Sequence, residues 1–222
     1  MISLGGLDLI ADLSGALFVP DYRALLVADL HLEKGSSYAA RGQALPPYDT
    51  RATLGLLEDV IARLKPDRLI ALGDSFHDTR AQSRMAADDL ARLNRLAEIC
   101  EPIWITGNHD ESLPQALRGS VAASLMLGPL RLIHIPSAPE DEDCEIAGHL
   151  HPVAVVTRKG RRIRARCFAA SRTRLVMPAF GSFAGGLNVL SPAFSGIFPQ
   201  GFTAYMIGTR GLHAFPPAAL SG

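Results

Sequence analysis

The sequence predicts an α/β fold built on a parallel sheet, and three observations predict it. Five short apolar runs each close in a polar cluster: ALLVADLHLE (24–33), LIALGDSFHD (69–78), IWITGNHD (103–110), LRLIHIP (130–136) and EIAGHLHP (145–152). Each reads as a strand with chemistry at its C-terminal tip. Stretches of helical periodicity separate the first three, and strand, helix, strand, helix, strand calls for right-handed crossovers and parallel pairing. Past residue 152 the chain turns to β-rich segments with turn punctuation, which add strands to the same domain.

The opening MISLGGLDLIADLSG reads as a strand. It has no basic start, and Asp8 and Asp12 interrupt its apolar residues, so it is unlike a secretory signal. In YDTRATLGLLEDVIARLKP (48–66), Leu54, Leu57, Ile61 and Leu64 recur at helical spacing; Asp49 or Thr50 can cap the start and Pro66 marks the stop. In SRMAADDLARLNRLAEICEP (83–102), Met85, Leu93 and Leu96 form the apolar stripe and Pro102 follows the end. Both read as core-facing helices. The segment PSAPEDEDC (136–144) reads as a solvated acidic loop. AVVTRKGRRIRARCFAA (154–170), RLVMPAFGSFAGG (174–186) and FTAYMIGTRGLHAF (202–215) supply the later strands. Open parallel sheets gather ligands outside the carboxyl ends of their strands, which is where all the polar clusters fall.

With 222 residues the chain is long enough for one sizeable core, and a single domain over residues 1–222 is expected. Lys plus Arg and Asp plus Glu balance at 22 each, so no global field recruits an acidic partner. Cys100, Cys144 and Cys167 are odd in number and widely spaced, which excludes a disulfide framework and a thiolate zinc site and fits a reducing cytoplasm. No run of roughly eighteen apolar residues is present to span a membrane.

His31, His77, His109, His134, His149 and His151 all sit in or beside the strand-end clusters; His213 alone lies outside. Histidines satisfied singly in a core would scatter, whereas ligands of shared ions converge. The pairs Asp29/His31 and His149/His151 are each two residues apart, a spacing that shares one face in an extended chain. Asp74 follows Gly73 on a sharp turn, and Asn108 offers an amide oxygen. Carboxylate, imidazole and amide without thiolate suit Mn²⁺, Fe²⁺, Zn²⁺ or Mg²⁺. With His134 these make seven ligands, more than one tetrahedral ion needs, so two ions bridged by a carboxylate are expected. Such a pair, roughly 3.5–4 Å apart, activates water and stabilises both ends of an in-line displacement at phosphorus.

Asp29-Leu30-His31, Gly73-Asp74, Gly107-Asn108-His109-Asp110, His134 and Gly148-His149-Leu150-His151, in that order, resemble the calcineurin-like metallophosphoesterase superfamily. The resemblance implies a four-layer αββα sandwich of two mixed sheets flanked by helices. It implies Asp29, His31 and His151 on one ion, Asn108, His134 and His149 on the other, and Asp74 between them. It implies that His109 faces the scissile phosphate and acts on the leaving oxygen. GDSFH resembles the G-D-x-F-H of SbcD-type DNA repair nucleases, which makes His77 a second catalytic candidate or a hydrogen-bonding support. ADLHLEKGSSYAARGQALPPYDT with MPAFGSFAGG is similar to the bacterial DNA-ligase-associated phosphoesterases, the PdeM group, and implies a nuclease of DNA repair with DNA ligase or other repair proteins as partners.

RKGRRIRARC (158–167) puts Arg162, Arg164 and Arg166 on one face of a strand. The face is either a charged guard on a sheet edge or a phosphate-backbone contact. Lys34 and Arg41 are similar unknowns. The expected activity is two-metal phosphodiester hydrolysis, on DNA or on smaller nucleotides; a binding scaffold that has retired from catalysis is the reading of another class.

Overall fold

The structure is a computed structural model that describes residues 1–43, 48–110, 113–137 and 144–222. Among these, β1 (Ile2–Leu4), β2 (Leu7–Ala11), β3 (Leu17–Val19), β4 (Ala24–Val27), β5 (Arg68–Leu72), β6 (Glu101–Ile105) and β7 (Ser120–Ala122) lie side by side in chain order. β1 to β4 pair antiparallel and β4 to β7 parallel. Helices α1 (Lys34–Ala40) and α2 (Asp49–Leu64) cross from β4 to β5; α3 (Ala81–Arg84) and α4 (Ala87–Arg95) cross from β5 to β6.

The second sheet comprises β8 (Ser124–Leu127), β9 (Leu130–Ile133), β10 (Cys144–Ala147), β11 (Pro152–Arg158), β12 (Arg161–Ala170), β13 (Arg174–Val176), β14 (Leu187–Asn188), β15 (Thr203–Ile207) and β16 (Leu212–Phe215), with α5 (Pro192–Ser195) beside it. β9, β10 and β13 are parallel, as are β11 and β14; the remaining pairings are antiparallel.

Side-chain alternation explains the layering. Leu26 of β4 and Ile70 of β5 point inward, where they meet Leu132, Ile146, Phe168 and Leu175 of the second sheet. Leu25, Val27, Leu69 and Ala71 point outward, beneath Leu54, Leu57 and Ile61 of α2 and Leu93 of α4. Buried on both faces, these strands read as continuous apolar runs. Ala154, Val156, Cys167 and Met206 form the outer face of the second sheet and are covered by Val189, Phe194 and Phe198. The sandwich therefore has two mixed sheets between flanking layers, as expected, and its fourth layer is thin: one four-residue helix and irregular chain.

Three local expectations are corrected. The second predicted helix is broken, because Met85 and Ala86 are extended with ψ 131° and 139° between α3 and α4, and Pro102 lies inside β6 instead of beyond a helix end. Asp49 and Thr50 do not cap α2; Asp49 Oδ2 accepts the Gly35 amide at 2.9 Å and Thr50 Oγ1 donates to Glu33 Oε1 at 2.9 Å, so both fasten α2 to the segment after β4. The acidic residues 140–143 lie outside the described residues. Among the described residues no helix is long and apolar enough to cross a membrane, and all three cysteines are free thiols.

Candidate metal centre

The parallel strands β4, β5 and β6 end at Val27, Leu72 and Ile105; β9 and β10 end at Ile133 and Ala147. Every predicted ligand follows one of these ends, so the carboxyl edges of both sheets meet at one place. The backbone there is not extended, so the two-residue spacing of Asp29/His31 and His149/His151 does not come from a shared strand face. Asp29, His31, Asp74, His149 and His151 are left-handed, with φ of 54°, 45°, 47°, 70° and 46°. Asp and His enter this region more readily than most residues, at a cost of about 1–2 kcal/mol each. The turns also need small neighbours: a Cβ on Gly73 would lie 2.4 Å from the His134 ring, and one on Gly107 would lie 2.2 Å from Asp74 Oδ1.

Two groups of donor atoms result. Asp29, His31 and His151 form one, and Asp74, His134 and His149 the other, with the ligand atoms of each group within 4.8 Å of one another. His151 Nε2 lies 3.2 Å from Asp29 Oδ1 and 3.3 Å from His31 Nε2. In the second group His134 Nε2 is 3.3 Å from both Asp74 Oδ1 and His149 Nδ1, and 3.0 Å from Asn108 Oδ1. Asp74 stands between the groups, its other oxygen 3.9 Å from His31 Nε2.

These contacts identify what the residues can hold. His134 Nδ1 donates to the Leu72 carbonyl at 2.9 Å, so in the neutral ring Nε2 is a lone pair. That lone pair faces a carboxylate oxygen and, in Asn108, an amide oxygen. The buried His31 Nδ1 has no partner among the described residues while its Nε2 faces another imidazole. Burial, reinforced by repulsion from His151, pulls the His31 pKa down to about 3, and burial with the His134 charge lowers that of His149. Burial opposes a charge on Asp74, yet the hydrogen bond and charge of His134 hold it down at about 2. Burial opposes a charge on His134 as well, but the Asp74 hydrogen bond and the Asp29 and Asp74 charges raise its pKa, so without an ion its Nε2 holds a proton that coordination would displace. The neutral His31 and His149 and the ionised Asp74 beside it complete a donor set that fits divalent cations.

His109 borders the cluster without joining either group, its ring edge-on to His31 at 5.3 Å. Its Nδ1 donates to the His77 carbonyl at 2.9 Å, its amide donates to Asp74 Oδ1 at 2.9 Å, and its side chain is 43% exposed, with Nε2 3.9 Å from Asp74 Oδ2. The His77 ring stacks on His109 at 5.6 Å, packs edge-on to His31 at 5.6 Å and lies 5.8 Å from Tyr38. Burial, with the charges of Lys34, His109 and Arg41, lowers the pKa of His77.

Sequence reasoning gave Asp110 no task. Its fully buried carboxylate accepts amide bonds from Gly107 at 2.8 Å and from Asp74 and Phe76 at 3.1 Å, locking the loop after β5 to the loop after β6. The signal available was its place in the same tetrapeptide as Asn108. Arg162 and Arg164 belong to neither donor group; they donate to the Gly222 carbonyl at 2.7 Å and the Gly186 carbonyl at 2.9 Å. Arg166 donates to the Ala179 carbonyl at 2.8 Å. Two of these guanidiniums thus hold the ends of a strap, 179–186, that lies on the metal-site loop through Phe180 N to Ala28 O at 2.8 Å and Gly181 N to Asp29 O at 3.3 Å.

An αββα sandwich with paired carboxylate–imidazole clusters at the joined carboxyl edges of its sheets defines a class of protein, the metal-dependent phosphoester hydrolases. Residues 22–159 match the family of calcineurin-like phosphoesterases, and the chain belongs to that family. Among solved structures, nuclease MPE of Pseudomonas putida is similar over 97% of this chain and 98% of its own, with 32% identity and a TM-score of 0.73. YfcE, a phosphoesterase from E. coli, is similar over 89% of this chain and 99% of its own, with 17% identity and a TM-score of 0.43. No curated protein matches the chain.

Proposed function

We propose that the chain is a two-metal phosphodiesterase that cleaves DNA. Asp29, His31 and His151 hold one divalent ion, Asn108, His134 and His149 hold the other, and Asp74 serves both. Manganese is the ion we assign to this mixed imidazole and oxygen donor set, with zinc, iron or magnesium as competitors. When bound, the ions offset phosphoryl charge and make water nucleophilic at neutral pH. The protein supplies the rest. Because His109 commits Nδ1–H to the His77 carbonyl, Nε2 is the atom that carries a proton to the leaving ester oxygen or stabilises the charge developing there. His77, stacked behind it, is the second catalytic group. Arg162 and Arg164 contact the DNA backbone, each with donors left after one carbonyl bond. The cellular setting that fits is cytoplasmic DNA repair, alongside DNA ligase.

The observation that carries this reading is the meeting of two lone-pair clusters around Asp74, in a chain alignable over nearly its whole length with a nuclease. The test strips the protein with a chelator, restores Mn²⁺, and measures hydrolysis of single- and double-stranded DNA, cyclic nucleotides and a small diester. Hydrolysis should vanish on stripping and return with Mn²⁺; full activity in stripped protein overturns the mechanism. Hydrolysis of the small substrates without DNA overturns the choice of polymer. Arg162→Glu, which leaves the Arg164 and Arg166 anchors of the 179–186 strap in place, should weaken DNA binding and flatten its salt dependence while sparing the small diester; unchanged DNA binding removes Arg162 from the contact.

A further inference from the structure

A groove of about 460 Å³ runs away from the Asn108 and His134 side of the metal centre. Its walls are Thr106, Ala123, Ser124, Arg131, Ile133 and Ile135, and Ile135 is 50% exposed. The volume is that of a small-ligand site, roughly 300–1,000 Å³, and far exceeds the needs of a phosphate. Its inner end is formed by Asn108 and His134 of the donor cluster, so a phosphoester bound at that cluster can extend one arm into it. A monoester brings one arm to such a centre and a diester brings two.

The wall chemistry narrows the arm. A half-exposed isoleucine beside a buried one forms an apolar strip suited to a flat ring, and the hydroxyls of Thr106 and Ser124 can both donate and accept. An alkyl or aryl arm would make no use of the hydroxyls or of the positive charge of Arg131; a bare sugar would make no use of the isoleucines. A nucleoside uses both. We infer that this groove seats the nucleoside on one side of the scissile phosphodiester, its base against Ile133 and Ile135 and its sugar toward Thr106 and Ser124. The inference rests on the phosphodiesterase reading above and adds the group that the enzyme recognises beside the phosphate.

The test compares two diesters with the same leaving group: thymidine 5′-(4-nitrophenyl phosphate), which carries the nucleoside, and methyl 4-nitrophenyl phosphate, which does not. Ala123→Trp fills the groove from its exposed rim, between β7 and β8, and Ser124→Tyr narrows it from the opposite chemistry. The Mn²⁺-loaded protein should prefer the thymidine ester by at least about tenfold in kcat/KM, equivalent to one good contact. Either variant should bring that ratio toward one and leave the methyl ester rate intact. Calorimetric binding of thymidine 5′-monophosphate should weaken about tenfold in parallel. Equal kcat/KM for the two esters in the unsubstituted protein overturns the groove assignment and leaves the phosphodiesterase reading standing. Equal loss of both rates in a variant with unchanged melting also overturns it. Hydrolysis of neither ester overturns the phosphodiesterase reading itself, and the groove assignment with it. If one variant fails to fold, the other decides.

Discussion

His109 and Asn108 are neighbours on one loop with different surroundings. The Asn108 amide oxygen is 3.0 Å from His134 Nε2, inside the donor cluster, while the His109 ring turns out to the His77 carbonyl and solvent. Removing the two kinds of group should therefore produce different failures. His109→Ala should keep both ions and its thermal stability yet lose on the order of 10²–10⁴ in turnover, the usual range for a positioned acid or base. Asp74→Ala should lose metal, because its two oxygens face the two groups separately. The deficit of His109→Ala should shrink on an activated aryl ester, whose leaving oxygen needs little protonation, and stay large on DNA. Metal analysis beside both rates checks this: an emptied site in His109→Ala makes that histidine a ligand. Full DNA cleavage with metal retained makes His77 or water the proton source.

At the scale of elements, one carboxylate holds two loops in place. Asp110→Ala leaves the amides of Asp74, Phe76 and Gly107 without their buried acceptor. At about 1–3 kcal/mol for each unsatisfied group, a loss of roughly 3 kcal/mol or more is expected. Unfolding measured in chelator, so that ions play no part, should show a drop in Tm of at least about 6 °C; an unchanged Tm would mean that the loops hold without these bonds. The strand tips and α2 were legible in the sequence because their signals are local: an apolar run ending in polar residues, and the repeat of Leu54, Leu57 and Ile61. The break at Met85–Ala86 has no glycine or proline to mark it. The caps were misread because Asp49 and Thr50 spend their side chains on tertiary partners. The residue types of the candidate ligands were legible, but their left-handed backbone was not, since Asp and His adopt it only when surrounding structure imposes it. The 179–186 strap was opaque for a further reason: its contacts with Ala28 and Asp29 are made by backbone amides, which every sequence has.

For the whole molecule, the centre lies on the seam between the sheets. Asp29 and His31 follow β4 of the first sheet while His151 follows β10 of the second; Asp74 follows β5 while His134 and His149 follow β9 and β10. Each group thus draws on both sheets, and in the proposed holoenzyme each ion ties one sheet to the other. Ions that bind the folded chain alone stabilise it by mass action, about 2.7 kcal/mol for a site at a hundredfold excess over Kd. In a chain of this size that corresponds to roughly 5–11 °C in Tm. Mn²⁺ added to stripped protein should therefore raise Tm by about this much as one cooperative transition, because the linked sheets share a continuous core. Asp74→Ala should lose most of the shift and His109→Ala should keep it, which separates binding from catalysis without an activity assay. The decisive contrary result is a Tm that ignores both chelator and Mn²⁺ while hydrolysis depends on them. The seam would then be rigid on its own, with Asp110 and the strap sufficient to hold the lone pairs together before any ion arrives.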